Sequence, residues 1–544
     1  MIYFFFEYIM RKGKISAKIW QKRRAEERAA PYAAPFFPAV RHTARTGRIR
    51  IVKTPRFPRR EVFFMRRIVC LGLSAALLAP ACCFAACAPA EERGAYVISA
   101  EYFPEERRLE ATMTAEIVNT SDAAWETLKF QLWPNAYREG AAYAPVSSLY
   151  APSAYYDGES YGGIDVTDVT GAQSFRVAGA DGNILETVLA EPLAPDERVT
   201  IGMDFTVTLA RINHRLGAGE HAVNLANFYP VLCHYDDGFC EYVYSSNGDP
   251  FVSACADYDV SLTVPENFVV AHTGTCERTL ADGKAVHHVR AGNVRDVAFV
   301  LSEDFRFAET SVGGVPVRYF YFDDDSAAET LACAAESLAY FGETFGGYAY
   351  PAYTVVQTDF PYGGMEYPML SMIAADLRAE EVPVVVAHET AHQWWYASVG
   401  SNQFEEAWQD EGLAEYSAAL FFGAHPDYGV TYEECVALSE QSYRAFFSVS
   451  SQLSGEQNTA MSRPLTGFSG EYEYRSIAYD KGVILFDRLR DTLGDGKFFA
   501  ALRAYVKSCA GSVAPPERLV ACFADRGAHA EGIIESFLRG TCVI

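Results

Sequence analysis

Val384-Val385-Val386-Ala387-His388-Glu389-Thr390-Ala391-His392 is followed, after eighteen intervening residues, by Glu411 within Trp408-Gln409-Asp410-Glu411-Gly412-Leu413-Ala414-Glu415-Tyr416. Residues four apart on a helix share a face, so His388 and His392 can aim ring nitrogens at one ion about 2.0–2.1 Å away, with Glu389 beside them. Val384 to Ala387 before the pair and Trp394-Trp395 after it make the helix apolar, and two histidines and a glutamate are costly to bury there without a partner such as a metal. A second apolar, helix-favouring run from Ala407 to Phe422 carries Glu411, which would complete a His2Glu set for one zinc ion per chain. Three protein ligands leave the fourth position to water, which zinc acidifies and Glu389 can deprotonate. Glu415, one turn beyond Glu411, is placed to accept a hydrogen bond from a ligand histidine. The alternative for Glu415 is a solvated surface carboxylate.

Two further motifs flank this core: Gly363-Gly364-Met365-Glu366-Tyr367 upstream and Tyr479-Asp480-Lys481-Gly482 downstream. With the HExxH string and Trp408-x-x-Glu411-Gly412, the ordered set resembles the gluzincin aminopeptidases, the family of aminopeptidase N and leukotriene hydrolase. The resemblance implies that Gly363, Gly364, Met365 and Glu366 lie on an edge strand that pairs with an extended peptide. Glu366 would then hold the free α-amine of the substrate, an arrangement that selects chain ends. It also implies that Tyr479 donates a hydrogen bond to the oxyanion; Tyr472 and Tyr474 are nearby rivals, but only Tyr479 precedes Asp-Lys-Gly. The family has asparagine where this chain has Tyr367, a departure that bears on how tightly the amine is gripped.

Residues 95–305 hold alternating runs such as Val199 to Val207 and Tyr258 to Val264, separated by Asn, Asp, Gly and Pro turns, and read as antiparallel sheet. Asn227-Phe228-Tyr229-Pro230 through Gly248-Asp249-Pro250-Phe251 resembles the β-saddle of bacterial members of the family. From 306 to 544 the pattern is mixed, with an amphipathic helix at Ala327 to Phe345, a strand at Tyr353 to Gln357, and helices at Gly482 to Leu493, Phe498 to Cys509 and Gly532 to Leu538. The expected fold is multidomain: an N-terminal antiparallel β-saddle, then a thermolysin-like α+β zinc peptidase domain. The large helical C-terminal domain of many family members has no counterpart here, which leads us to expect an open cleft.

Met65-Arg66-Arg67 and the short apolar run Ile68 to Ala79 have the form of a secretory signal peptide over 65–86. Phe84-Ala85-Ala86-Cys87 resembles a bacterial lipobox, which makes Cys87 the lipidation site and 87–94 a tether; cleavage and release is the alternative. Residues 1–64, strongly basic and preceding an export signal, read as an over-extended gene model without function, with translation starting at Met65; a basic arm that binds nucleic acid is the alternative. From Cys87 onward 28 basic residues face 66 acidic ones, a balance that repels phosphate backbones and excludes nucleic-acid partners. Of thirteen cysteines nine follow the leader, with Cys233/Cys240 and Cys509/Cys522 as candidate pairs.

The expectation from sequence is thus a zinc aminopeptidase acting on peptides with a free N-terminus. It would face outside the cytoplasm in a bacterial cell envelope, held to the membrane by a lipid anchor, with no obligate protein partner. The alternatives are a zinc endopeptidase, if Tyr367 disables end recognition, and a peptide-binding protein without turnover.

Overall fold

A computed structural model describes residues 50–52, 93–455, 457–542 and 544. The signal segment and Cys87 lie outside these residues.

The first part is built of strands whose apolar residues alternate strictly. Along Arg108–Val118 the side chains of Leu109, Ala111, Met113, Ala115 and Ile117 are buried while their neighbours face outward. That period of two commits one face of a seven-stranded sheet to the core. Its spatial order is Thr275–Ala281, Lys284–Val294, Ala256–Pro265, Gly94–Phe103, Arg108–Val118, Arg198–Thr208 and Gly163–Thr170. Two four-stranded sheets complete this part; one contains Val223–Ala226 and Ala298–Ser302, the other Trp125–Gln131 and Ile184–Leu193. The sheet departs from the expected antiparallel pattern once: Ala256–Pro265 runs parallel to Gly94–Phe103. The two strands are far apart in sequence, so no hairpin fixes their relative direction and a parallel pair can form.

From Arg306 the chain forms a six-stranded mixed sheet. Its order is Arg50–Val52, Arg306–Val312, Val315–Tyr321, Tyr353–Thr358, Leu370–Ala374 and Gly364–Tyr367, so Gly364, Met365 and Glu366 lie on an edge strand, while Gly363 falls in the turn just before it. Gly313 and Gly314, both with positive φ, make the turn between the second and third of these strands. Helices α1 (Ala327–Phe345), α2 (Val382–Ala391), α3 (Trp408–Ala424), α4 (Tyr432–Ser454), α5 (Lys481–Leu493), α6 (Asp495–Cys509), α7 (Pro516–Ala524) and α8 (Ala530–Leu538) follow the chain order. Helix α1 buries Leu331, Ala334, Leu338, Phe341 and Phe345 at helical spacing. Helix α4 begins with a capping box between Thr431 and Glu434.

Two motif glycines explain how the helices close around the site. Gly412 on α3 and Gly482 on α5 face each other so closely that a Cβ built on Gly482 would lie 2.5 Å from the Gly412 Cα. Only hydrogen atoms fit between these backbones. The Asp-Lys pair before Gly482 serves the same joint: Asp480 accepts from the Ser442 hydroxyl at 2.7 Å, and the Lys481 ammonium donates to the carbonyls of Thr459 and Phe537.

All nine cysteines among the described residues are free thiols, including Cys233, Cys240, Cys509 and Cys522. Here Cys233 and Cys509 serve as small apolar core residues, each about 2% exposed.

Candidate active site

Helix α2 keeps its regular turn only to Ala391. The backbone then widens into a π-type turn over Gln393–Ser398, with Trp395 outside helical geometry. A second widened turn, Ser476–Asp480, carries Tyr479. Such turns rotate side chains off the regular helical face and recur at functional sites.

The two imidazoles and Glu411 converge. The Nε2 atoms of His388 and His392 are 3.0 Å apart, and each lies near Glu411 Oε2, at 3.3 and 3.4 Å respectively. On the far side of each ring, His388 Nδ1 is 2.9 Å from Glu415 Oε2 and His392 Nδ1 is 2.7 Å from Asp410 Oδ1. An ionised carboxylate only accepts, so each Nδ1 is held as a donor by Glu415 or Asp410, and it is Nε2 that gives up its proton and presents a lone pair when an ion takes the place between the rings and Glu411. Two lone pairs and a carboxylate oxygen then point at one another, an arrangement that a cation satisfies. A tetrahedral ion with bonds of about 2.0–2.1 Å spaces its ligands by roughly 3.3 Å, close to these separations. The residues present therefore fit a zinc ion.

Without the ion, burial pulls the His388 pKa down, but hydrogen bonds to Glu411 and Glu415 outweigh this and raise it to about 10. Burial pushes Glu411 up, but both histidines more than reverse this and hold it below the usual carboxylate range. Glu389 is pushed well above that range by burial, and its Oε2 has no hydrogen-bond partner. Gly364 lies directly against the Glu389 carboxylate, in space a Cβ would fill.

Glu366 points from the edge strand into the same centre: its carboxylate, that of Glu389 and the ring of His392 offer atoms within 4.8 Å of one another. Tyr479 stacks on His388 with ring centroids 5.7 Å apart at 11°. Burial first, then the Glu411 carboxylate, holds its phenol well above the usual range. Tyr474, the rival in sequence, is also at the site; its hydroxyl donates to Glu411 Oε1 at 3.5 Å. Tyr472 is 46% exposed and faces away.

His388, Glu389, His392, Glu411 and Glu366 are all buried, between 1 and 9% exposed. Tyr150 of the β-rich part reaches across, stacking edge-on against Tyr362 and donating to Glu471 at 3.0 Å. The β-rich part thus packs directly against the catalytic part through Tyr150. A separate cavity of about 770 Å³, lined by Glu220, Asp304, Asp323, Asp359, Asp376 and Arg306 among others, contains none of these site residues.

Residues that sequence reasoning missed are those that hold the others. Asp410 anchors His392, and Gln403 donates to Glu366 Oε1 at 3.1 Å and to Asp410. Asp410 precedes Glu411 by one position, and neighbours on a helix point about 100° apart, so spacing gave no reason to aim both at the histidines. Gln403 sits in a polar loop with no signal at all.

The fold and this donor set define the class: a zinc metallopeptidase domain, with zinc as its cofactor. Residues 329–539 match the model of the peptidase family M1 domain. Human aminopeptidase B is 27% identical over 195 residues, 34% of this chain and 29% of that protein. Leukotriene A-4 hydrolase of Xenopus laevis is 27% identical over 183 residues, 31% of this chain and 28% of its own. The chain thus spans under a third of these curated relatives. Among solved structures, an M1 zinc metallopeptidase mutant from Deinococcus radiodurans bound to a Tyr-Ser-Ala substrate shares the fold with a TM-score of 0.59. It is 18% identical, covering 83% of this chain and 95% of that one.

Proposed function

We propose that this protein is a zinc aminopeptidase that removes N-terminal residues from peptides outside the cytoplasm. The observation that carries the reading is the Glu366 carboxylate, which projects from an edge strand to within 4.8 Å of Glu389 and His392. A negative charge so near the reacting centre suits a peptide whose first amine carries a positive charge.

In this reading His388, His392 and Glu411 hold zinc, which supplies Lewis acidity at the scissile carbonyl when bound. The free edge of Gly364–Tyr367 takes the substrate as an added strand through the backbone of Gly363, Gly364 and Met365, and Glu366 fixes its amine. Glu389 removes the proton of the attacking water and returns it to the leaving amine. Burial raises its pKa, which brings proton affinity nearer to neutral pH than an ordinary carboxylate allows. The Tyr479 hydroxyl donates to the oxyanion as it develops, among buried side chains where such a hydrogen bond counts for more than in bulk solvent. Glu415 and Asp410 keep each histidine in the tautomer whose Nε2 is free to bind. The placement in a bacterial envelope rests on Met65-Arg66-Arg67, the apolar run after it and Cys87, where lipidation would anchor the chain. Among the described residues no helix is long and apolar enough to cross a membrane.

The test is product analysis with zinc-loaded protein on matched free and N-acetylated peptides. Stepwise release of single residues from free N-termini only is the expected result. Internal cleavage of both sets would make the protein an endopeptidase, and zinc binding without turnover on either would leave only a binding protein.

A further inference from the structure

Tyr367 stands where the resembling family has asparagine, and its place in the fold gives it a different task from touching substrate. Successive side chains of a strand point to opposite faces. Glu366 faces His392, Glu389 and Gln403, whereas Tyr367 faces the β-rich part, is fully buried, and donates its hydroxyl proton to Asn227 Oδ1 at 2.9 Å. Asn227 sits at φ +52°, in the left-handed region that asparagine tolerates better than other side-chain-bearing residues.

The other side of the same strand end is held from the histidine helix. Gln393, the residue after His392, donates through Nε2 to the Tyr367 carbonyl at 3.1 Å and accepts at Oε1 from the Met369 amide at 2.8 Å. Met369 has φ +60°, a cost for a side-chain-bearing residue that this clamp helps to offset. A third connection runs from the same helix end to the β-rich part: Tyr396, three residues past Gln393, donates to Asp296 Oδ2 at 2.7 Å. The strand bearing Glu366 is an edge strand with a ladder on one side only, so without these ties its end could shift relative to the histidines.

We propose that Tyr367 is a positioning residue: through Asn227 it locks the Glu366 strand to the β-rich part, fixing the distance from amine holder to metal centre and enforcing end-specific cleavage. The proposal rests on the reading of Glu366 as the amine holder, and the experiment separates the two. The full zinc-loaded chain and its Tyr367→Phe, Asn227→Gly, double and Glu366→Ala variants are assayed on matched free and N-acetylated peptides, with thermal unfolding followed in parallel. Glycine accepts φ +52°, so Asn227→Gly removes the acceptor while keeping the backbone. Loss of one hydrogen bond predicts that KM for the free peptide rises by about 5–10-fold in each single variant, with kcat nearly unchanged. The free-to-acetylated ratio of kcat/KM should fall by the same factor, and the double variant should be no worse than either single one. If Glu366→Ala abolishes the discrimination and Tyr367→Phe leaves it intact, the tether is overturned while the amine-holding role stands. If Tyr367→Phe lowers kcat equally for both peptides alongside a lower unfolding temperature, its role is merely structural and the proposal falls. If Glu366→Ala itself leaves the discrimination unchanged, the amine-holding reading fails and the tether proposal falls with it.

Discussion

Asp410 and Tyr479 show how single side chains set the chemistry. Asp410 holds the Nδ1 proton of His392 at 2.7 Å, leaving Nε2 as the donor atom. Asp410→Ala releases that ring, and we expect zinc affinity to fall about 10–100-fold, read by competition with a chelator. Unchanged affinity would mean that packing alone orients His392. The two tyrosines at Glu411 can be separated by their hydroxyls. Tyr479→Phe should lower kcat by about 10²–10³ with zinc content unchanged, whereas Tyr474→Phe, whose hydroxyl is committed to Glu411, should cost far less. The opposite order would move the oxyanion role to Tyr474.

The joint between α3 and α5 decides whether those side chains meet. Gly412 and Gly482 are neighbours of Glu411 and of the Tyr479 turn, so the motifs Trp-x-x-Glu-Gly and Tyr-Asp-Lys-Gly encode one contact between two helices. Gly482→Ala places a methyl against the Gly412 backbone, which cannot rotate away. Overpacking of this kind costs about 1–3 kcal/mol and pushes Tyr479 from Glu411. We expect both a lowered unfolding midpoint and a drop in kcat that zinc cannot restore. Activity retained at full stability would show that the helices part without moving the tyrosine.

Across the molecule, the buried histidines of the β-rich part tie folding to pH. Burial lowers His272 and His287 from the ordinary 6.5 to about 4. As pH falls below 6.5 the unfolded chain takes up these protons first, so stability is complete above about 6.5 and is lost progressively down to about 4. Each such shift is worth roughly 3 kcal/mol. Denaturant titrations at pH 7 and pH 4.5 should show the loss in a signal from the β-rich part, and His272→Phe should reduce it. A pH-independent midpoint would refute the assignment.

His388, Glu389, His392 and Glu411 were legible from the sequence because their geometry is local: a helix repeats every 3.6 residues, so spacing alone puts two rings on one face, and an apolar surround marks them as buried. The amphipathic α1 and the strand alternation were readable for the same reason, whereas the edge strand came only from the family resemblance of Gly363 to Tyr367. Nothing local could place Gln403 on Glu366, Tyr367 on Asn227, Tyr150 on Glu471, or Gly94–Phe103 parallel to Ala256–Pro265. Nor did the helical pattern show α2 widening after Ala391. These contacts join segments far apart along the chain, and such pairings follow from how the domains pack, because a side chain's distant partner leaves no trace in the spacing of its neighbours.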